Sequence, residues 1–316
     1  MEQHLYIASH DPQGGILHCR LTDSGKVELL DKTDLDRPAY LCREGNRLYA
    51  VLREPFPMQS GVAAFEIRQD GTLAPSGEIL PVHGTVACHI LALKGQVYTA
   101  NYLSGSTTRL PDRILAHNGK GADPQRQDCS HPHCVTATPD GNYICICDLG
   151  TDCIYICTPE LKEIRRISLA PGSGPRHLVF SPDGNYGFCS EELSCRVSVF
   201  ACDGSDLTFV NSVSCVPDDF AGENYASAIR ISPDGKKLYV SNRGHDSLCI
   251  WDVDGPELSG RQFLKTGGIW PREMNLAGDW ILCGNQNAVT AFSRVTGLQT
   301  DTFPVKNPWC ILPADV

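Results

Sequence analysis

Histidine and arginine sit close together in several short motifs of this 316-residue chain: His131-Pro132-His133, Arg176-His177, Arg243-Gly244-His245 and Pro271-Arg272-Glu273. Imidazole titrates near neutral pH and can move protons as a general acid or base. Guanidinium binds carboxylate or phosphate through paired hydrogen bonds, so Arg176, Arg243 and Arg272 together point to an anionic ligand. His131 and His133 are two residues apart, which strand alternation permits on one face. A zinc site needs three or four ligands, however, and the arginines around this pair oppose a cation, so no metal is expected. Cys145-Ile146-Cys147 and Cys153-Ile154-Tyr155-Ile156-Cys157 alternate cysteine with large apolar residues and read as two core strands. No Gly-Xaa-Ser-Xaa-Gly elbow, phosphate loop or dinucleotide fingerprint accompanies these motifs, and no cofactor is expected.

Composition narrows the class. Apolar residues make up 41% and charged residues 20% of the chain, as in a folded globular protein. No stretch approaches the ~18 apolar residues of a membrane helix. Met1-Glu2-Gln3-His4-Leu5-Tyr6 lacks the basic and apolar regions of a secretory leader, which makes the cytoplasm the expected compartment. The 16 cysteines then read as reduced, buried small residues. A formal charge of −10 with no basic cluster disfavours nucleic acid and anionic membrane surfaces and favours a small-molecule partner. A monomer is compatible with all of this, and the oligomeric state stays open.

The elements that position these motifs come from an internal repeat. Pro139-Asp140-Gly141, Pro182-Asp183-Gly184 and Pro233-Asp234-Gly235 are tight turns between β-rich runs, with weaker copies at Glu44-Gly45-Asn46, Lys94-Gly95-Gln96 and Ala277-Gly278-Asp279. They recur about every 40 to 50 residues, enough for four short strands. The strand before each turn opens with a matching motif: Pro38-Ala39-Tyr40, Val86-Ala87-Cys88, Pro132-His133-Cys134, Pro175-Arg176-His177, Ala226-Ser227-Ala228, Pro271-Arg272-Glu273 and Pro308-Trp309-Cys310. The last copy has no room for the rest of a unit. Its missing strands are expected at the N-terminus, in Leu5-Tyr6-Ile7-Ala8, Ile16-Leu17-His18-Cys19 and Lys26-Val27-Glu28-Leu29-Leu30. Residues 1–316 therefore read as a single all-β domain, a seven-bladed propeller of four antiparallel strands per blade whose last blade joins both termini. A sandwich or a stacked solenoid fits the split last unit less well.

In each blade the start of the first strand and the end of the second meet at one end. First strands line the channel of a propeller, so these residues should ring one mouth. The starts supply His131, His133, Arg176, His177 and Arg272; the ends supply Arg53, Glu54, Asn101, Asp148, Glu192, Asn242, Arg243, His245 and Gln286. Asp148 is equally suited to shaping its own loop with Asp152. The opposite end is expected to carry only turns, with Asp140, Asp183 and Asp234 as turn formers. Thr107 to Asp128, rich in Pro, Gly, Asp and Arg, is expected to be an extended loop near the mouth.

Arg126-Gln127, His131-Pro132-His133-Cys134-Val135, Asp148-Leu149-Gly150-Thr151-Asp152, Gly174-Pro175-Arg176-His177-Leu178, Glu192-Leu193 and Ser241-Asn242-Arg243-Gly244-His245-Asp246 together resemble the bacterial lactonase family of seven-bladed propellers. Its best-known activity is 6-phosphogluconolactonase, and it is similar to the fungal carboxymuconate-lactonizing enzymes. The resemblance implies a catalytic set of His133, Arg176, Glu192 and Arg243. Around it, His131, His177, Asn101, Asp148, Asn242, His245, Arg272 and Gln286 are expected to bind substrate. It implies hydrolysis of an anionic sugar lactone, with arginine holding the oxyanion and His133 better suited than Glu192 to be the base, since neighbouring arginines lower the glutamate's basicity. Blade one departs from the family, with Leu52-Arg53-Glu54 where an Asn-Glu pair is common. A lactone-forming cycloisomerase would use the same arginines. A non-catalytic binding propeller would expose aromatic anchors, for which Trp309 and Tyr102 are the candidates.

Overall fold

Strand-forming runs separated by Pro-Asp-Gly turns can bury themselves only by stacking sheet on sheet, and a closed ring of sheets leaves no unpaired edge at its ends. The computed structural model, which describes residues 3–314, is such a ring: seven antiparallel sheets and no helix among the described residues. Blades 1 to 6 begin with inner strands Pro38–Glu44, Ala87–Leu93, Pro132–Ala137, Pro175–Phe180, Tyr225–Ile231 and Glu273–Ala277, and each continues outward in chain order. Blade 7 takes its inner strand, Pro308–Pro313, from the C-terminus and the other three, Gln3–Ser9, Gly15–Leu21 and Val27–Thr33, from the N-terminus. The seven-fold pattern and the split last blade therefore stand as expected.

Burial follows the layers. In blade 3 the two middle strands, Ile144–Asp148 and Cys153–Cys157, are buried throughout, whereas the outer strand Glu163–Ser168 is largely exposed. Middle strands are covered on both faces by neighbouring blades, so they need no polar alternation. Cys134, Cys145, Cys147 and Cys189 join Ile154, Ile156, Leu178 and Phe200 in one cluster between blades 3 and 4. All 16 cysteines are free thiols, and Cys129 alone is exposed.

The turns carry their aspartates as structural groups. Asp140 accepts from Thr138 Oγ1 (2.6 Å) and from the Asn142 amide (3.0 Å), and Gly141 takes the positive φ of 65°. Two expectations change. Thr107 to Asp128 is not one loop, because Ser106–Arg109 and Arg113–Ala116 form the outer half of blade 2 and Pro111-Asp112 merely turns between them. The turn end of the channel is also not bare. Tyr40, His89, His177 and Arg230 line a cavity of about 350 Å³ there, in which Arg230 pairs with Glu273 at 2.7 Å.

Candidate functional site at the channel mouth

A bulge opens nearly every inner strand. The register skips one residue between Pro38 and Tyr40, Pro132 and Cys134, Pro175 and His177, and, on the partner strands, opposite Cys88 and Trp309. A bulged residue leaves the ladder and its side chain is re-aimed. In blades 3, 4 and 7 that residue is His133, Arg176 or Trp309. In blade 6 Arg272 stands in the same place, just before the strand, with its amide on Gly284 O. In blade 2 the bulged residue is Cys88, so the motif there begins at Ala87 rather than Val86.

The second strands end in a two-residue pattern. Asn101, Asp148 and Glu191 each pair with the first residue of the inner strand and Asn242 with the second, Ala226, and all four are buried. Asp148 accepts from the His131 amide (2.6 Å), the Gly150 amide (3.0 Å) and Ser130 Oγ (2.5 Å). Asn101 bonds Thr108 Oγ1 (3.0 Å) and Asn242 bonds Cys215 O (2.7 Å). Asn101, Asp148 and Asn242, expected to bind substrate, have their polar atoms engaged by the loops they hold. Alternation sends the following residue the other way, and Tyr102, Glu192, Arg243 and Gln286 occupy that place.

Glu192 is the hub of the mouth. Its Oε1 lies 2.6 Å from Arg126 Nη2, and its Oε2 lies 2.6 Å from Arg243 Nη2 and 3.1 Å from Arg176 Nε. Burial pushes the carboxyl up, but Arg243, His133, Arg176 and Arg126 hold it well below the usual carboxylate range. His133 is 5% exposed and its Nδ1 has no partner. Burial and the Arg176 charge, against a smaller opposing pull from Glu192, press its pKa well below the ordinary histidine value and keep the imidazole neutral. Tyr225 lies beneath Arg126 and Arg243, 5.3 and 5.7 Å from ring to guanidinium. One ionised carboxylate thus fixes three guanidiniums beside a neutral imidazole, an arrangement able to stabilise an oxyanion and to accept a proton.

Arg126 belongs to no repeat motif that points to a role. It arrives on a loop rather than a repeat strand. Asp123 Oδ1 accepts from the Gln125 and Arg126 amides, and buried Gln127 bonds Asp152 Oδ1 (2.6 Å), so the loop is rigidly seated. Arg272 joins a second group: its guanidinium and that of Arg53 each lie 4.5 Å from the Trp309 ring. Gln286 is exposed and borders the cavity beside Arg272.

Other expected substrate ligands lie elsewhere. His131 spends Nδ1 on Tyr102 O (2.9 Å), stacks on the Tyr102 ring, and sets Nε2 3.0 Å from Asp128 Oδ1. Asp128, Cys129 and His131 hold donor atoms within 4.8 Å of one another, the first two exposed, yet the imidazole–carboxylate contact already accounts for their approach. His177 faces down the channel toward the far cavity, against His89. His245 is wedged edge-on between Phe220 and Phe263 with Nδ1 on Ser247 Oγ (2.7 Å), away from the hub.

Residues 4–313 match the family model described as Lactonase, 7-bladed beta-propeller. The chain is 35% identical over 262 residues to a 6-phosphogluconolactonase of Bacillus subtilis, covering 76% of this chain and 74% of that one. Among solved structures, a protein from Lactobacillus plantarum superposes with a TM-score of 0.88 at 29% identity over 100% of both chains. A periplasmic gluconolactonase of Pseudomonas aeruginosa superposes with a TM-score of 0.87 at 25% identity over 99% of both.

Proposed function

The chain belongs to the lactonase family of seven-bladed β-propellers, and from that premise we propose that its mouth hydrolyses a sugar lactone, with 6-phosphogluconolactone as the substrate. The observation that carries this reading is the Glu192 hub beside neutral His133. Water attacks the ring carbonyl and gives a proton to His133. The developing oxyanion is met by Arg176 and Arg243, whose directions Glu192 fixes. Collapse breaks the bond to the ring oxygen. Glu192, held ionised, has no proton to give, so the His133 imidazolium returns its own to the departing alkoxide. The gluconolactonase relative and the 6-phosphogluconolactonase relative differ in substrate charge, which makes the cationic surroundings of the hub the feature to test.

An assay coupled to 6-phosphogluconate oxidation, corrected for spontaneous ring opening, tests the reading. Hydrolysis should exceed the enzyme-free rate and fall tenfold or more in Arg243→Ala, because a guanidinium that contacts the transition state is lost. Full retention of activity in that variant overturns the assignment. Consumption of an unsaturated dicarboxylate with no hydrolysis of either gluconolactone would replace hydrolysis by lactone formation.

A further inference from the structure

Two guanidiniums at the mouth stand outside the Glu192 hub. Arg53 and Arg272 come from blades 1 and 6, which flank blade 7, and both approach the bulged Trp309 to 4.5 Å. His10 stacks on the same indole, 3.6 Å between ring centroids and 14° from parallel. Neither arginine has a carboxylate within ion-pair distance among the described residues, and Arg53 Nε is buried with no hydrogen-bond acceptor. Burial and the charges of Arg176, Arg243 and Arg53 all disfavour the charged form of Arg272. Guanidinium keeps its proton in proteins, so a bound anion would relieve this crowding.

Each guanidinium borders open space. A cavity of about 590 Å³ opens beside Arg272, walled by Trp270 and Trp309 and bordered by Gln286. A second, of about 420 Å³, opens beside Arg53 and His10. Carboxylates occur at both rims. Asp246, in the first, is held by the amides of Trp270 (2.7 Å) and Gly244 (3.3 Å); in the second, Asp36 pairs with Arg37 at 2.9 Å and Glu54 is exposed.

We propose that Arg53 and Arg272, set around Trp309, form a subsite for a phosphate monoester, separate from the hub and selecting a phosphorylated over a neutral lactone. This rests on the lactonase reading and deepens it. The charges favour a dianion: in the hub one carboxylate already offsets part of the charge of three guanidiniums, whereas here two positive charges are uncompensated. A carboxylate ligand is satisfied by one guanidinium fork, while a phosphate offers three acceptor oxygens and close to two negative charges, enough to engage both. The indole, packed against both guanidiniums and against His10, limits the motion of the two arginine side chains.

Inorganic phosphate is the probe. It is titrated calorimetrically into the wild type, Arg53→Ala, Arg272→Gln and the double variant, each first checked for a native near-ultraviolet spectrum. Phosphate affinity should fall tenfold or more in the double variant. In each single variant the ratio of kcat/KM for 6-phosphogluconolactone to that for neutral gluconolactone should also fall tenfold or more. Arg272→Lys, which keeps the charge, gives a folded comparison should the glutamine variant unfold, and its ratio should lie between the two. An unchanged ratio, or phosphate affinity untouched in the double variant, overturns the subsite. A wild type that hydrolyses neither lactone removes the hub's assigned chemistry instead. The phosphate titration then decides the subsite alone, with loss of affinity in the double variant upholding it and retention overturning it.

Discussion

Burial and the Arg176 guanidinium keep His133 neutral, and the arginines around Glu192 keep it ionised, so the two groups have opposite protonation behaviour although they share one pocket. The consequence is a pH profile that can be worked out in sign. A base acts only while unprotonated. With the His133 pKa pressed below the ordinary ~6.5, the acid limb of kcat/KM, which reports the free enzyme, should lie well below pH 6.5. Bound anionic substrate adds negative charge near the imidazole and favours its protonation, so the limb of kcat should move to higher pH than that of kcat/KM. Initial rates from about pH 4.5 to 8 measure both. A free-enzyme limb at or above 6.5 that persists in His133→Asn would assign the titration, and the base, to another group. Glu192 contributes no limb in this range, because its carboxyl stays ionised throughout.

Each blade repeats the same few elements, and the repeat separates two kinds of polar residue. At the end of the second strand Asn101, Asp148, Glu191 and Asn242 recur as buried groups that tie down the adjoining loop. The residues one step on, Tyr102, Leu149, Glu192 and Arg243, differ from blade to blade. A position that is polar in most copies, with Leu52 of blade 1 as an exception, is architectural, and one that varies is free to carry chemistry. That contrast was present in the sequence, but a one-residue uncertainty in strand register exchanges the two faces, which is why Asn101, Asp148 and Asn242 read as ligands. The same alternation distinguishes Glu192 from Glu191, which accepts from Ser194 and Ser198 instead. The propeller itself was legible because turn chemistry is local. Arg126 was not, because it lies on a loop outside the repeat and nothing local says which blade it will reach. Asp148 gives the element-level prediction. Asp148→Ala strands the His131 and Gly150 amides and Ser130 Oγ in a buried setting, at a cost of roughly 2–5 kcal/mol. Asp183→Ala, in an exposed turn, should cost about 1 kcal/mol or less. Urea unfolding compares them, and equal losses would refute the architectural role of Asp148.

Closure of the ring couples the termini to the mouth. Pro308–Pro313 pairs with Gln3–Ser9, placing Ile311 opposite Ile7, and both are fully buried. Two residues before Ile311 the same strand carries Trp309, against which Arg53 and Arg272 rest. Loosening this pairing would therefore free two sheet edges and displace the indole together. Ile311→Ala opens a cavity in the closing blade and should cost ~2–5 kcal/mol, lowering Tm by roughly 4–10 °C for a chain of this size. Ile154→Ala is the control. Its side chain is equally buried, but it lies in a middle strand of blade 3, whose pairing is continuous in sequence. If closure is the weak joint of the ring, the two variants should lose similar stability, but Ile311→Ala should scatter more light on heating, since exposed edges pair between molecules. It should also bind inorganic phosphate more weakly, since the strand that positions Trp309 is the one disturbed. Equal scattering and equal phosphate affinity in the two variants would mean that the terminal blade is held as firmly as the other six and that the mouth does not feel it.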